Sequence, residues 1–431
     1  MNKKTVYLHD PDYSLTYFGY EHPMKPYRTS LVYELVLGYE LDQKLSIYKP
    51  PKAVDEQLLH YHTQDYIDFI RSVTPEFVTS KTFVNKSAHF NMASADCPVF
   101  HGLYDYVCRA AGSSITAAHH LMDNNADVVV NWEGGLHHAK RRAASGFCYV
   151  NDIVLAILEL LKVHPRVVYI DIDVHHGDGV EEAFITTNRV MTVSFHQYGD
   201  NYFPGSGSLH DTGFKQGTGY AVNVPLKRGL SDATFLPLFT SIIDSVFDTY
   251  QPGAVVLQCG ADSLANDRLG TFNLTLAGHG GAVDHVLSKN KPTIILGGGG
   301  YTLKNVARCW TYETALACGA TVNDQMPLTY RAEYFGPENR LNIIPNNTED
   351  ENHRDLVENL KNTVLQNLKR AAPAPPCILP KISTIRNEDI ALVDHQNDYD
   401  RGLDDGTHLR HFENLRATTA QFDHNRGIED K

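Results

Sequence analysis

The chain is short of the features that would assign it to several broad protein classes. Its seven cysteines are an odd number and no two form a Cys-x-x-Cys pair, which argues for reduced thiols and against a disulfide framework or zinc finger. Most of these thiols, such as Cys108 and Cys318, are expected as plain core residues. No apolar run approaches the ~20 residues of a membrane-spanning helix, so no membrane partner is expected. Met1 to Tyr7 lacks the apolar stretch of a signal peptide, and an intracellular setting is expected. Positive charge is also scarce: 38 Lys and Arg face 51 Asp and Glu, a formal net charge of -13. That balance argues against direct nucleic-acid binding and suits a basic partner such as a Lys-rich peptide.

What is present is an alternation of apolar runs and helical patterns from about Lys4 to Ala317, the signature of an α/β layer architecture. Strands are predicted at Thr5–Leu8, Asp127–Asn131, Arg166–Asp173, Val190–Phe195, Tyr220–Val224, Ala254–Gln258 and Thr293–Leu296. Helices are predicted at Gln57–Ser72, Leu103–Asp123, Asp152–Lys162, Asp232–Tyr250, Asn273–Ser288 and Asp355–Lys369. Several strands run straight into polar or glycine-rich text, and in an open parallel sheet ligands bind just beyond the carboxyl ends of the strands. A single domain over residues 1–370 is expected, followed by a polar, acidic tail at 371–431 that reads as flexible.

The most informative segment is Ile170-Asp-Ile-Asp-Val-His-His-Gly-Asp-Gly179. Asp171, Asp173 and His175 are spaced by two, so an extended backbone puts them on one face. Carboxylate oxygen and neutral imidazole nitrogen are the ligand set of zinc or a similar borderline metal. A purely structural role would need cations beside the acids, yet no Lys or Arg lies between Arg166 and Arg189. A metal site is the expectation.

Three more segments belong with it: Gly134-Gly-Leu-His137-His138, Gln258-Cys-Gly-Ala-Asp262 and Gly297-Gly-Gly-Gly-Tyr301. Taken singly, each has a plainer reading. Paired histidines are commonly a solvated loop, an Asp after a strand is commonly a helix N-cap, and a glycine run could cradle phosphate. No Lys-Ser/Thr follows the glycines, as a phosphate loop requires. Together the segments supply metal ligands, two bases and an oxyanion donor.

The runs Glu133-Gly-Gly-Leu-His-His-Ala-Lys140, Ser145-Gly-Phe-Cys-Tyr-Val-Asn-Asp152 and Asp171 to Gly179 resemble the class I zinc-dependent histone deacetylases. Gly260-Ala-Asp-Ser263, Gly297 to Tyr301, Arg308-Cys-Trp-Thr-Tyr312, His22-Pro-Met-Lys-Pro26 and Tyr66-Ile-Asp-Phe69 extend the resemblance from about Thr5 to Lys369. Within the class it points to the histone deacetylase 3 branch.

The resemblance implies an arginase–deacetylase fold and hydrolysis of acetyl-lysine in histone tails. Zinc would be held by Asp173, His175 and Asp262. His138 would be the general base, His137 its electrostatic partner, and Asp171 and Asp178 their orienting acids; Tyr301 would donate to the oxyanion. Phe147, Phe203, Gly146 and Leu269 would line a tunnel for the lysine stem, Asp96 would grip the substrate backbone, and Cys148 and Arg28 would lie below the metal.

The resemblance further implies potassium near Asp171, Asp173, His175, Ser194 and Phe195, and a second potassium at carbonyls of Phe184, Thr187, Val190 and Tyr220. Corepressor proteins are implied as partners, the nucleus as compartment with the cytoplasm as a further one. A bridging inositol phosphate would use Lys25, Arg268 and Lys304, although Tyr17 and Glu21 replace the family's His and Gly, and a carboxylate there repels polyphosphate. Two other readings stand beside this one: an acetylpolyamine-type or binuclear manganese metallohydrolase, and a weakly active corepressor-complex scaffold.

Overall fold

The computed structural model describes residues 3–79, 87–329, 332–369, 371 and 391–392. Nearly all of the 371–431 segment, Cys377 included, lies outside these residues, as does the expectation of a flexible tail.

Eight strands form one parallel sheet: β1 (Thr5–Leu8), β2 (Ser46–Lys49), β3 (Val128–Asn131), β4 (Val167–Asp171), β5 (Val190–Gln197), β6 (Ala221–Leu226), β7 (Ala254–Gln258) and β8 (Thr293–Leu296). A two-residue strand, β9 (Ala391–Leu392), pairs antiparallel with β2 at one edge. The order across the sheet is β6-β5-β4-β7-β8-β3-β1-β2-β9.

The central strands β3, β4, β7 and β8 are short, mostly Val, Ile and Leu runs buried along their whole length, as a parallel sheet covered by helices on both faces requires. Period two sorts their side chains. Val168, Ile170, Val255, Leu257 and Ile295 enter one core with the helices Arg28–Gly38, Asp232–Tyr250, Leu276–Ser288, Leu303–Ala317 and Arg354–Leu368. Val167, Tyr169, Val256, Ile294 and Leu296 enter the opposite core with the helices Leu103–Met122 and Asp152–Leu160.

A third, aromatic-rich core built around Tyr66, Phe90, Phe100, Tyr106 and Tyr149 includes Leu136, Cys148 and Tyr301. It therefore underlies the loops that carry the predicted chemistry. Five described cysteines are buried as expected, whereas Cys318 is partly exposed.

The predicted strands are all present, with ends shifted by a residue or two. Four differences matter. β2 was not expected, because Ser46 and Lys49 are exposed and only Ile47 is fully buried, a weak pattern for so short a strand. The predicted helix Gln57–Ser72 is broken into Asp55–Leu58 and Gln64–Ser72. The break turns His62 inward, where Nε2 accepts the Asn151 N–H at 3.0 Å, and this tertiary bond outweighs helical continuity. The helices Arg28–Gly38 and Leu303–Ala317 were also unexpected; their less buried faces carry Tyr33 and Leu37, and Tyr312 and Leu316, while the second buries Asn305, Thr311 and Glu313, which blurs the polar–apolar contrast.

Register brings the functional ends level. Asp171 on β4 stands opposite Ser194 on one side and Gln258 on the other, and Gln258 stands opposite Leu296. The loops after β3, β4, β7 and β8 thus leave the sheet at one height and meet in a single crevice. No described helix is long and apolar enough to cross a membrane.

Candidate active site

Asp173 and His175 follow β4, and Asp262 lies on a one-turn helix after β7. One ligand atom from each lies within 4.8 Å of the others, and all three side chains are buried. His175 Nδ1 is 3.1 Å from Asp173 Oδ1 and 3.0 Å from Asp262 Oδ2. The other carboxylate oxygens are held by donors: Asp173 Oδ2 accepts from Gln258 Nε2 at 2.9 Å and the Gly299 N–H at 2.8 Å, and Asp262 Oδ1 accepts from the Val174 N–H at 3.0 Å.

This arrangement fits a divalent cation. Two carboxylates with no exposed area face one point, and taking such ions out of water costs several kcal/mol each unless a positive charge compensates. Burial, and then Asp173, push the Asp262 carboxyl up to about 7. Burial alone would lower His175, but hydrogen bonds and charge from Asp173 and Asp262 push it up to about 10. The trio gathers positive charge, and its donor set of two oxygens and one nitrogen suits zinc.

Beside it stand two His–Asp dyads. His137 Nδ1 is 2.8 Å from Asp171 Oδ2, and His138 Nδ1 is 2.7 Å from Asp178 Oδ1. The two imidazoles differ electrostatically. For His137 burial opposes the charge, yet Asp171 and Asp173 overcome it and push the group up to about 9. For His138 burial and the neighbouring His137 together pull it down to about 3. In the metal-free site the surroundings thus drive the two rings apart, His137 toward the cation and His138 toward the free base.

Asp178 is held well below the usual carboxylate range: burial opposes this, but His138 and Lys140 prevail. Lys140 Nζ bonds Asp178 Oδ2 at 2.7 Å. The sequence argument that the acids lack a cation therefore fails for Asp178, whose partner arrives from a distant segment. It holds for Asp171 and Asp173, which meet His137, Tyr169, Gln258, His175 and backbone N–H groups.

Tyr301 is buried against the same site, and burial followed by Asp262 and Asp173 holds its phenol well above its ordinary range, so it keeps its proton. Its N–H donates to Asp267 Oδ2 at 2.7 Å. Arg28 lies beneath, donating to the carbonyls of Gly298 and Gly300, with its guanidinium 4.8 Å from the Trp310 ring centre.

The predicted wall residues also assemble. The Phe203 ring is 4.9 Å from His138, 42% exposed, and Phe147 is 5.7 Å from Tyr301. A Cβ on Gly146 would lie 2.4 Å from His138 Cδ2 and 3.0 Å from Phe203, at a φ of +50°, so only glycine fits there. Asp96 Oδ2 accepts the Gly146 N–H at 2.9 Å, and Leu269 stands 39% exposed with its carbonyl bonded to Tyr202.

Other predicted residues lie outside this cluster. His176 turns away, bonding Ser206 and Glu181. Lys25 donates to the carbonyls of Gly19 and Tyr20 and is drawn down to about 8 by burial and then by Arg268. Lys304 lies 5.3 Å from the Tyr334 ring centre. Of the expected potassium carbonyls, Phe184 accepts from Thr187 N–H and Tyr220 from Thr192 N–H.

Sequence reasoning missed three supports. Asp152 accepts the N–H groups of Gly135 and Leu136 at 2.9 and 2.8 Å, and Asn151 donates to the carbonyls of His137 and Ala139. Gln258 ties Asp173 to the Gly135 carbonyl. The available signal was a run of amide and acid residues in otherwise apolar text.

Comparison with known proteins shows the family. The histone deacetylase domain matches residues 22–317. Type-1 histone deacetylase 1 of Dictyostelium discoideum is 51% identical over 86% of this chain and 74% of its own length. Histone deacetylase HDAC1 of Drosophila melanogaster is 48% identical over 93% and 75%, and histone deacetylase 1 of Homo sapiens 50% over 86% and 77%. These relatives carry the type 1 name, so they support the class and not the expected affinity to the histone deacetylase 3 branch. The chain belongs to the class I histone deacetylase family.

Proposed function

We propose that this chain hydrolyses the side-chain amide of N6-acetyl-lysine in histone tails, giving lysine and acetate, and acts in transcriptional repression. The observation that supports this best is the pairing of two unlike His–Asp dyads with one buried carboxylate–imidazole trio. Zinc, when held by Asp173, His175 and Asp262, supplies a Lewis acid for the acetyl carbonyl and an acidified water.

The chain's own residues do the rest. Asp178 fixes the proton of His138 on Nδ1, leaving Nε2 as the base that takes a proton from water. His138 then returns that proton to the departing amine. His137, kept cationic by Asp171, and the Tyr301 O–H stabilise negative charge growing on the acetyl oxygen. Phe147 and Phe203 flank the lysine methylenes, Gly146 and Leu269 complete the wall, and Asp96 orients the peptide.

We assign residues 1–370 as the catalytic unit and the nucleus as its compartment, with the cytoplasm as a further one and corepressor proteins as partners. Potassium at the Asp171–Ser194 and Phe184–Tyr220 positions belongs to the same proposal. So does inositol phosphate at Lys25, Arg268 and Lys304, opposed by Glu21. The deciding experiment is acetate release from an acetyl-lysine histone peptide by the purified chain. Hydroxamate-sensitive release is expected; silence from folded, zinc-loaded protein opposes the enzyme and favours a scaffold.

A further inference from the structure

Behind the metal-ligand loop lies a second convergence of ligand-type atoms. Among the described residues, His279, Cys309 and Glu313 also bring one ligand atom each within 4.8 Å, all with no exposed area. His279 comes from the helix Leu276–Ser288, and the other two from Leu303–Ala317.

This group does not read as a metal site. His279 Nδ1 and Glu313 Oε1 are in direct hydrogen-bond contact, whereas donors sharing one zinc at bonds of about 2 Å stand roughly 3 Å or more apart. A proton lies between them. The other ring nitrogen, Nε2, is 3.0 Å from the Gly260 carbonyl oxygen. That carbonyl can only accept, so Nε2 carries a proton whichever of Nδ1 and Oε1 holds the shared one. The chain of bonds runs from Glu313 through His279 to Gly260, two residues before Asp262.

Gly260 has little freedom to move. A Cβ at this position would lie 1.9 Å from Asp173 Oδ2, so the peptide is seated directly against the other carboxylate ligand. Its N–H donates to Gln258 Oε1 at 2.8 Å, and its carbonyl also accepts from Ser263 Oγ at 3.1 Å, both bonds within the same loop. His279 reaches that carbonyl from a separate helix.

We infer that His279 and Glu313 are positioning residues for the metal centre: by clamping the Gly260 carbonyl they fix the aim of Asp262 and its spacing from Asp173. The inference rests on the reading of Asp173, His175 and Asp262 as zinc ligands. A buried pair of purely structural value would differ in one readout: an apolar pair of similar volume, which commonly replaces it without loss of stability, would leave zinc affinity unchanged.

The test uses the full chain. Zinc affinity is measured by competition with a chromophoric chelator, and Tm is measured on chelator-treated protein. The variants are His279→Leu/Glu313→Leu together, His279→Leu/Glu313→Gln together, and His279→Gln, whose amide can still donate to Gly260. The double variant is expected to keep the metal-free Tm and to hold zinc about 10- to 100-fold more weakly, the usual cost of losing an outer partner. His279→Gln is expected to recover most of that affinity.

Wild-type zinc affinity in a folded double variant overturns the inference. Should the double variant not fold, His279→Leu/Glu313→Gln, which removes the donor to Gly260 and leaves no buried charge, decides: weaker zinc supports the clamp, and unchanged zinc overturns it. Wild-type protein that binds no zinc overturns the ligand reading itself, and the inference with it.

Discussion

Asp178→Asn removes one charge and almost no volume from the His138 dyad, which makes it the sharpest probe of the proposed base. The carboxylate lies 2.7 Å from Nδ1, so when His138 becomes an imidazolium the two charge centres stand about 4 Å apart. At an effective dielectric of about 20 that attraction is worth about 4 kcal/mol, or a factor of about 10³ in rate. An amide can also offer N–H to Nδ1, which would put the ring proton on Nε2 and block the base outright. Lys140 remains 2.7 Å away from the vacated position and adds repulsion to the imidazolium. Lys140, only 24% exposed, keeps Glu182 Oε2 at 3.2 Å as a second partner and so is not left unpaired.

The expected result is therefore a fall in kcat of about 10³ with zinc content, Tm and KM little changed. The assay is acetate release at saturating acetyl-lysine peptide, beside metal analysis of the same sample. A variant within about tenfold of wild type, folded and zinc-loaded, would refute His138 as a base oriented by Asp178.

Other outcomes follow from the same geometry. Tyr301→Phe deletes one buried hydroxyl and should lower kcat by about 10²- to 10³-fold, with hydroxamate binding as the check that the site survives. Gly146→Ala forces a methyl against His138 at a left-handed φ, so kcat/KM should fall at least about 10²-fold while circular dichroism stays unchanged. At saturating zinc, kcat should show no acid limb at about pH 6 to 7 from His138, which burial and His137 pull down to about 3. An alkaline limb should come no higher than about 9, where His137 loses its proton, since a bound cation lowers that group further; a pH profile of kcat checks it.

Glu159 offers a stability test away from the site. Burial raises its carboxyl, but His119 and Lys162 outweigh this and bring it down to about 2, against an ordinary value of 4.5. Its contribution is thus present above about 4.5 and lost as pH falls toward 2. The Tm gap between wild type and Glu159→Gln should narrow on acidification below 4.5; a constant gap would contradict the pairing.

The sheet and the acid–histidine loops were legible because strand-end chemistry is local. Asp173 and His175 sit on one segment, and β4, β7 and β8 are contiguous apolar runs that announce where the chain emerges. The helices Arg28–Gly38 and Leu303–Ala317 were not, since Tyr33, Leu37, Tyr312 and Leu316 on their outer faces and Asn305, Thr311 and Glu313 on a buried one blur the contrast that marks a surface helix. The division between a cationic His137 and a neutral His138 was also invisible. It depends on which carboxylate each ring meets, and on the proximity of two like charges in a buried place. Lys140 on Asp178, Asp152 on the His137 loop and His279 on Gly260 were hidden for a related reason. Each is a tertiary hydrogen bond between segments whose sequences carry no sign of their partner.

The central claim is that amide hydrolysis here requires one zinc held by Asp173, His175 and Asp262. The direct test strips the purified chain with a chelator, restores zinc in measured steps, and follows acetate release from an acetyl-lysine histone peptide. The account predicts no release without metal, and release that rises to a plateau at one zinc per chain and is absent from Asp262→Asn. Turnover by metal-free protein, or activity that needs two manganese ions per chain, would contradict it.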